Sequence, residues 1–153
     1  MTAPRTPLLA VDLIIELLDR PNRPIVLIER KHEPLGWALP GGFVDIGEPV
    51  EAAAIREAAE ETNLSVGLEI LLGVYSDPHR DPRGHAASIV YVATGQGEMT
   101  AMDDAAAVKA YDVSSLPSAL AFDHAKVLRD YLVYRETGML PRPSPSGPSQ
   151  PAA

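Results

Sequence analysis

The sequence predicts an α/β layered domain in which a mixed β-sheet lies between helices. Three observations carry that prediction. Apolar segments of strand length recur at Leu8 to Leu18, Pro24 to Arg30, Gly67 to Ser76, Ala86 to Thr94 and Val108 to Val113. An alanine- and glutamate-rich run starting at Pro49 has helical composition, and a second helical run closes the chain from Asp123 to about Thr137. Strands interspersed with helices in this way form layers around one core.

The composition bounds the answer. With 153 residues, 46% hydrophobic and 22% charged, the chain is long enough for one domain with a substantial core. The expected division is a domain over residues 1–140 and a Pro/Ser-rich tail over 141–153, disordered or polyproline-like for want of core-forming side chains. No apolar run approaches the roughly 20 residues that span a bilayer. Asp12 and Glu16 interrupt the apolar start, and no small-residue cleavage site follows, so this stretch reads as a strand and not as a signal peptide. The absence of cysteine excludes disulfides, thiolate catalysis and thiolate zinc sites, and fits a cytoplasmic protein. A net charge of −8 argues against a nucleic-acid backbone as partner.

In chain order, the first two apolar segments flank a turn at Asp19-Arg20-Pro21-Asn22 and read as a hairpin. Gly36 to Pro40 then leads into Gly41-Gly42, a predicted glycine turn where the backbone comes close to a ligand. Trp37 has two readings, packing on the sheet or an aromatic wall beside a bound nucleotide. Pro49 suits the first position of a helix about fourteen residues long, and EAAAIREAAEE supplies strong helix formers. Ile55, Ala58, Ala59 and Ala52 are expected to face the sheet.

On that helix Glu57, Glu60 and Glu61 fall within one arc of roughly 100°, because i, i+3 and i+4 share a face. Clustered carboxylates repel, and a divalent cation removes the objection. Oxygen ligands select hard ions, Mg²⁺ or Mn²⁺. Arg56 is placed to pair with a neighbouring carboxylate and fix its orientation. A plain solvated acidic face is the alternative, and the glycine segment before the helix weighs against it.

Gly41 to Leu64 resembles the Nudix box: Gly, five residues, Glu, seven residues, Arg-Glu, an aliphatic, any residue, Glu-Glu, any residue, Gly, an aliphatic. Gly42, Glu48, Arg56, Glu57, Glu60, Glu61 and Leu64 fall on this pattern. Ala58 is a small version of the aliphatic position, and Asn63 stands where the family has glycine. Asn tolerates the left-handed conformation that ends a helix, so the cap is expected to survive. The resemblance implies a Nudix α/β/α sandwich, Mg²⁺ held by Glu57, Glu60, Glu61 and the Gly41 carbonyl, and catalytic roles for these glutamates with Glu48 and Arg56.

Beyond the box, the polar loop from Ser76 to His85 carries Arg80 and Arg83, whose planar guanidinium groups suit phosphate oxygens. His85 reads as a structural histidine or a substrate ligand. The string DPRGHAAS and the later LAFDHAKVLRDYL resemble the ADP-ribose pyrophosphatase subgroup of the Nudix family. That subgroup places a further catalytic carboxylate in the loop equivalent to Gly95 to Ala107, which makes Glu98, Asp103 and Asp104 candidates. It also implies ADP-ribose as substrate and a homodimer. Hydrolysis of nucleoside triphosphates, oxidised ones included, is the alternative that the box alone allows. A DNA-binding ADP-ribose sensor is a further one, against which the intact box and the non-basic tail speak.

In the last helix Asp123 is the expected N-cap, Gly138 the terminator, and Val127, Leu128, Tyr131 and Leu132 the buried face.

Overall fold

The computed structural model describes residues 2–149. The elements run β1 (Leu8–Glu16), β2 (Ile25–Arg30), β3 (Trp37–Ala38), β4 (Gly41–Phe43), α1 (Val50–Thr62), β5 (Ser65–Tyr75), β6 (Ala86–Gln96), β7 (Ala105–Tyr111) and α2 (His124–Thr137), with a 3₁₀ turn at Val113–Ser115. The strands form one mixed sheet ordered β3-β2-β1-β6-β5, with β4 also on β1 and β7 also on β2. No helix among the described residues is long and apolar enough to cross a membrane.

β1 is the central strand, buried from Ala10 to Leu17, which is why its sequence is apolar almost throughout and not alternating. It runs parallel to β6 from Leu8↔Ala86 to Glu16↔Thr94. Alternate residues serve opposite faces. Val11, Leu13 and Ile15 pack with Ala53, Ala54 and Ala58 of α1, whereas Ile14 packs with Leu27 and with Val127, Leu128 and Tyr131 of α2. Helix, sheet and helix thus form the expected layers.

Several local expectations change. β1 and β2 share only the Glu16↔Ile25 pair, because β4 takes the edge of β1 at Ala10, Val11 and Asp12, and β2 pairs instead with β7. The hairpin is therefore replaced by two diverging strands. The glycine turn is a short strand, with neither Gly41 nor Gly42 at positive φ. Pro49 sits at the N-cap, one residue before the helix. Asn63 ends α1 at φ 64°, its N–H bonded to the Ala59 carbonyl, so the cap forms as expected.

The packing face of α1 comprises Ala53, Ala54, Ala58, Glu61 and Thr62, while Ile55 is 46% exposed and Ala52 and Ala59 face solvent. Alanines on every side give this helix no apolar contrast from which to read its phase. In α2, Asp123 occupies the N-cap position but makes no capping bond, because its carboxylate is held by Arg80. In the Pro/Ser-rich stretch after residue 140, Arg142 and Ser149 exchange backbone hydrogen bonds around a turn and Pro148 is buried beside Gly73. Residues 150–153 of that tail lie outside the described residues.

Candidate active site

α1 brings two carboxylates against the backbone of β4. The Gly41 N–H donates to Glu61 Oε2 at 3.0 Å. A Cβ on Gly42 would lie 2.5 Å from the Glu57 carboxylate, and one on Gly41 would lie 2.1 Å from the Val11 carbonyl oxygen and 2.5 Å from Asp12 Oδ1. Close approach, not a special φ, makes both positions glycine.

Arg56 holds the outer side of this pair. It donates to Glu48 at 2.5 and 3.1 Å, to Glu57 at 2.9 Å, to Glu60 at 3.1 Å and to the Phe43 carbonyl at 3.1 Å. These charge-assisted bonds raise the Arg56 pKa and lower that of Glu48. Glu61 is different. Burial, followed by the charges of Glu57 and Asp12, pushes it up to about 8 against the pull of the Gly41 N–H. Burial also raises Glu57, with Arg56 opposing.

Glu57 and Glu61 line a cleft of about 320 Å³ together with Asp12, Arg30, Gly41, Arg80, Arg83, Asp104, Phe122 and His124. Its floor is a buried polar network. Asp12 accepts from Ser88 Oγ at 2.5 Å and lies 3.7 Å from Arg80, which pairs with both oxygens of Asp123 at 2.8 and 3.1 Å. His124 accepts from the Leu39 N–H through Nδ1 at 3.0 Å, so the neutral ring carries its hydrogen on Nε2, 3.5 Å from Asp12 Oδ2.

Among the described residues no three Asp, Glu, His or Cys side chains form a ready-made metal cluster. Two raised-pKa carboxylates against the side-chain-free Gly41-Gly42 pair suit a hard ion that keeps much of its shell for water and substrate oxygens.

A family model described as the NUDIX domain matches residues 7–131. The chain belongs to the Nudix family. An ADP-ribose pyrophosphatase of Methanocaldococcus jannaschii is 49% identical over 132 residues, covering 84% of this chain and 75% of the relative. Among solved structures, a MutT/nudix family protein from Enterococcus faecalis superposes with a TM-score of 0.77 at 28% identity, over 89% of this chain and 65% of that one. The NUDIX domain of Shewanella oneidensis NrtR, complexed with ADP ribose, gives 0.71 at 28% identity, over 87% and 90% of the two chains. The chain is thus a Nudix hydrolase.

This Nudix domain gathers only part of the predicted residue set into its cleft. Gly41, Glu57, Glu61, Arg80, Arg83 and Asp104 line it. Glu60, 44% exposed, and Glu48 flank Arg56 outside it. Glu98 is exposed, with its carbonyl accepting from Asn63, and Asp103 offers its carbonyl to Lys31 at 2.6 Å; neither side chain lines the cleft. His85 Nε2 lies 2.9 Å from the Ser76 carbonyl, away from the cleft. Trp37 packs edge-on to Tyr111 with centroids 5.3 Å apart, in the core under α2, which is the packing reading and not the aromatic wall.

Arg80 lines the cleft only as a buried, ion-paired side chain, 3% exposed. Sequence reasoning missed Asp12, Arg30, Phe122 and His124. Asp12 had a signal, since an acid inside an otherwise apolar strand must be buried with partners. Arg30, at the end of its strand, had none.

Proposed function

We propose that this Nudix hydrolase cleaves ADP-ribose with water to AMP and ribose 5-phosphate, using Mg²⁺, with Mn²⁺ as a substitute. The observation that carries this is the Glu57–Glu61 pair facing a cleft that also holds Arg30 and Arg83. Carboxylates for a cation and guanidinium groups for anions in one cleft match a diphosphate entering as its metal complex. The 49% identity to an ADP-ribose pyrophosphatase supports the choice of substrate.

In this reading Glu57, Glu61 and the Gly41 carbonyl hold the metal, which supplies neutralisation of the diphosphate and a more acidic water. Arg56 fixes Glu57 in place, and Glu60 shares that clamp as an orienting group. Asp104 is the loop carboxylate placed to accept the proton of the attacking water, since of Glu98, Asp103 and Asp104 it alone lines the cleft. Arg83, stacked on Phe43 and paired with Asp81, contacts the phosphates.

The partner is a small molecule and not nucleic acid or membrane, in keeping with a charge of −8. A cysteine-free cytoplasmic homodimer completes the reading, the dimer resting on the subgroup resemblance. Light scattering checks it, and a monomer at working concentration rejects it.

The test of substrate is product chromatography on ADP-ribose, NADH, diadenosine polyphosphates, dGTP and 8-oxo-dGTP, with and without Mg²⁺. Metal-dependent AMP from ADP-ribose is the expected result. Turnover of triphosphates without ADP-ribose cleavage rejects the substrate.

A further inference from the structure

Phe122 is the most strained bulky residue near the cleft. It holds φ at 56°, a left-handed conformation that large side chains rarely adopt. The neighbours on both sides are tied down. Ala121 donates its N–H to the Trp37 carbonyl at 2.8 Å, Asp123 is held by Arg80, and the His124 ring is 1% exposed. Between these anchors, the left-handed turn delivers the aromatic ring of Phe122 to the cleft wall.

Three cleft arginines lie over that ring, the guanidinium carbon of Arg30 at 4.9 Å from its centroid, that of Arg83 at 5.5 Å and that of Arg80, already paired with Asp123, at 6.0 Å. Stacking on an aromatic face leaves the in-plane N–H groups of a guanidinium free to point elsewhere. Arg83 has Asp81 as counter-charge. Arg30 has no carboxylate within ion-pair distance among the described residues; Nε donates to the Pro34 carbonyl at 2.7 Å, Nη2 to the Glu33 carbonyl at 3.5 Å, and Nη1 to no protein group. Burial, followed by the charge of Arg83, lowers the pKa of Arg30 from its ordinary value. A half-buried cation beside a like charge, with a free donor at a cleft, is the complement of an incoming anion.

We propose that Phe122 is a positioning residue that holds Arg30 and Arg83 as a single two-guanidinium grip on a phosphoryl group of the substrate. The inference rests on the reading of the substrate as a nucleoside diphosphate derivative, and adds Arg30 and Phe122 to the residues that recognise it. Arg80, neutralised by Asp123, is left outside the grip.

The test is a double-mutant cycle of Phe122→Leu and Arg30→Lys. It is read by steady-state kinetics on ADP-ribose and by calorimetric binding of inorganic pyrophosphate without added metal, with circular dichroism as the fold check. Each single substitution is expected to raise KM and weaken pyrophosphate binding about tenfold, the loss of one good charge-assisted contact. The expected change in kcat is below about threefold, because metal and nucleophile are untouched. The double variant is expected to be little worse than either single one, since both break the same unit. Phe122→Tyr, which keeps the ring, restores most of the loss.

A folded Phe122→Leu protein with unchanged KM and pyrophosphate affinity overturns the inference, as does full additivity. Where Phe122→Leu does not fold, Arg30→Lys with Arg83→Lys forms the cycle, and additivity there overturns it equally. A wild-type protein that binds pyrophosphate but leaves ADP-ribose intact rejects the substrate alone, and the grip stands if Arg30→Lys loses that binding. A wild type that binds no pyrophosphate overturns the grip even where ADP-ribose is cleaved.

Discussion

Both helices cover a face of the same sheet, and both faces bury carboxylates, yet they treat them in opposite ways. On the α2 side, Asp130 takes the Tyr75 hydroxyl at 2.7 Å, and Glu16 takes the Tyr131 hydroxyl at 2.5 Å with Arg135 at 3.8 Å. On the α1 side, Glu61 is as deeply buried at 5% exposure, but accepts one backbone N–H and has no cation within 4 Å among the described residues. The first arrangement completes itself within the protein. The second leaves a buried carboxylate with no cation within 4 Å among the described residues, an arrangement that a positive ligand would complete.

The contrast is sharpest in what neutralising each acid does. Glu57→Gln or Glu61→Gln is expected to lower kcat by about three orders of magnitude, the loss of a metal ligand, while leaving the circular dichroism spectrum unchanged. Near-normal turnover in a folded variant breaks the assignment.

The next expectation concerns pH. The folded value of about 8 for Glu61 lies above its ordinary 4.5, so the folded, metal-free protein binds that proton more tightly than the unfolded chain. Its contribution is therefore greatest below pH 4.5 and is lost as pH rises to about 8, on the order of a few kcal/mol. Thermal melts from pH 5 to 8 should show a loss of stability attributable to this group, reduced by Mg²⁺ and absent in Glu61→Gln. An identical pH slope in wild type and variant rejects it.

Tyr131→Phe tests the other side. Removing the hydroxyl from buried Glu16 should cost about 2 kcal/mol by urea denaturation, with kcat of the folded fraction within about twofold. A large kcat loss would place α2 in the chemistry and erase the contrast. The smallest effect is expected for Arg56→Lys, which keeps the charge but loses the planar fork, lowering kcat about tenfold. A loss equal to that of Glu57→Gln would make Arg56 part of the reaction and not of its support.

What the sequence could reveal follows from the range of the interactions involved. α1 and its Asn63 cap were legible because helix propensity and capping are local. β4 was not, since three residues become a strand only by pairing with β1, some thirty positions earlier. Helical spacing put Glu57, Glu60 and Glu61 on one arc, but alanines on every side hid which part of it meets the sheet, and only Glu57 and Glu61 line the cleft. Arg80 and Arg83 are indistinguishable as letters in one loop. Asp123, remote in sequence, makes Arg80 an internal counter-ion and leaves Arg83 at the cleft. Asp103 and Asp104 differ by one position, and the local turn before β7 decides which side chain reaches the site.

The parallel pairing of β1 with β6 has a consequence for how the molecule is born. During synthesis α1 emerges complete by residue 62, but the strand that flanks its partner β1 begins only at Ala86. Until then the sheet on which α1 packs lacks the strand that runs beside β1 along its whole length. A fragment ending before β6 would carry every letter of the box without Asp104, Phe122 and His124, which complete the cleft. The cleft is thus completed by long-range contacts, whose closure is slow relative to helix formation.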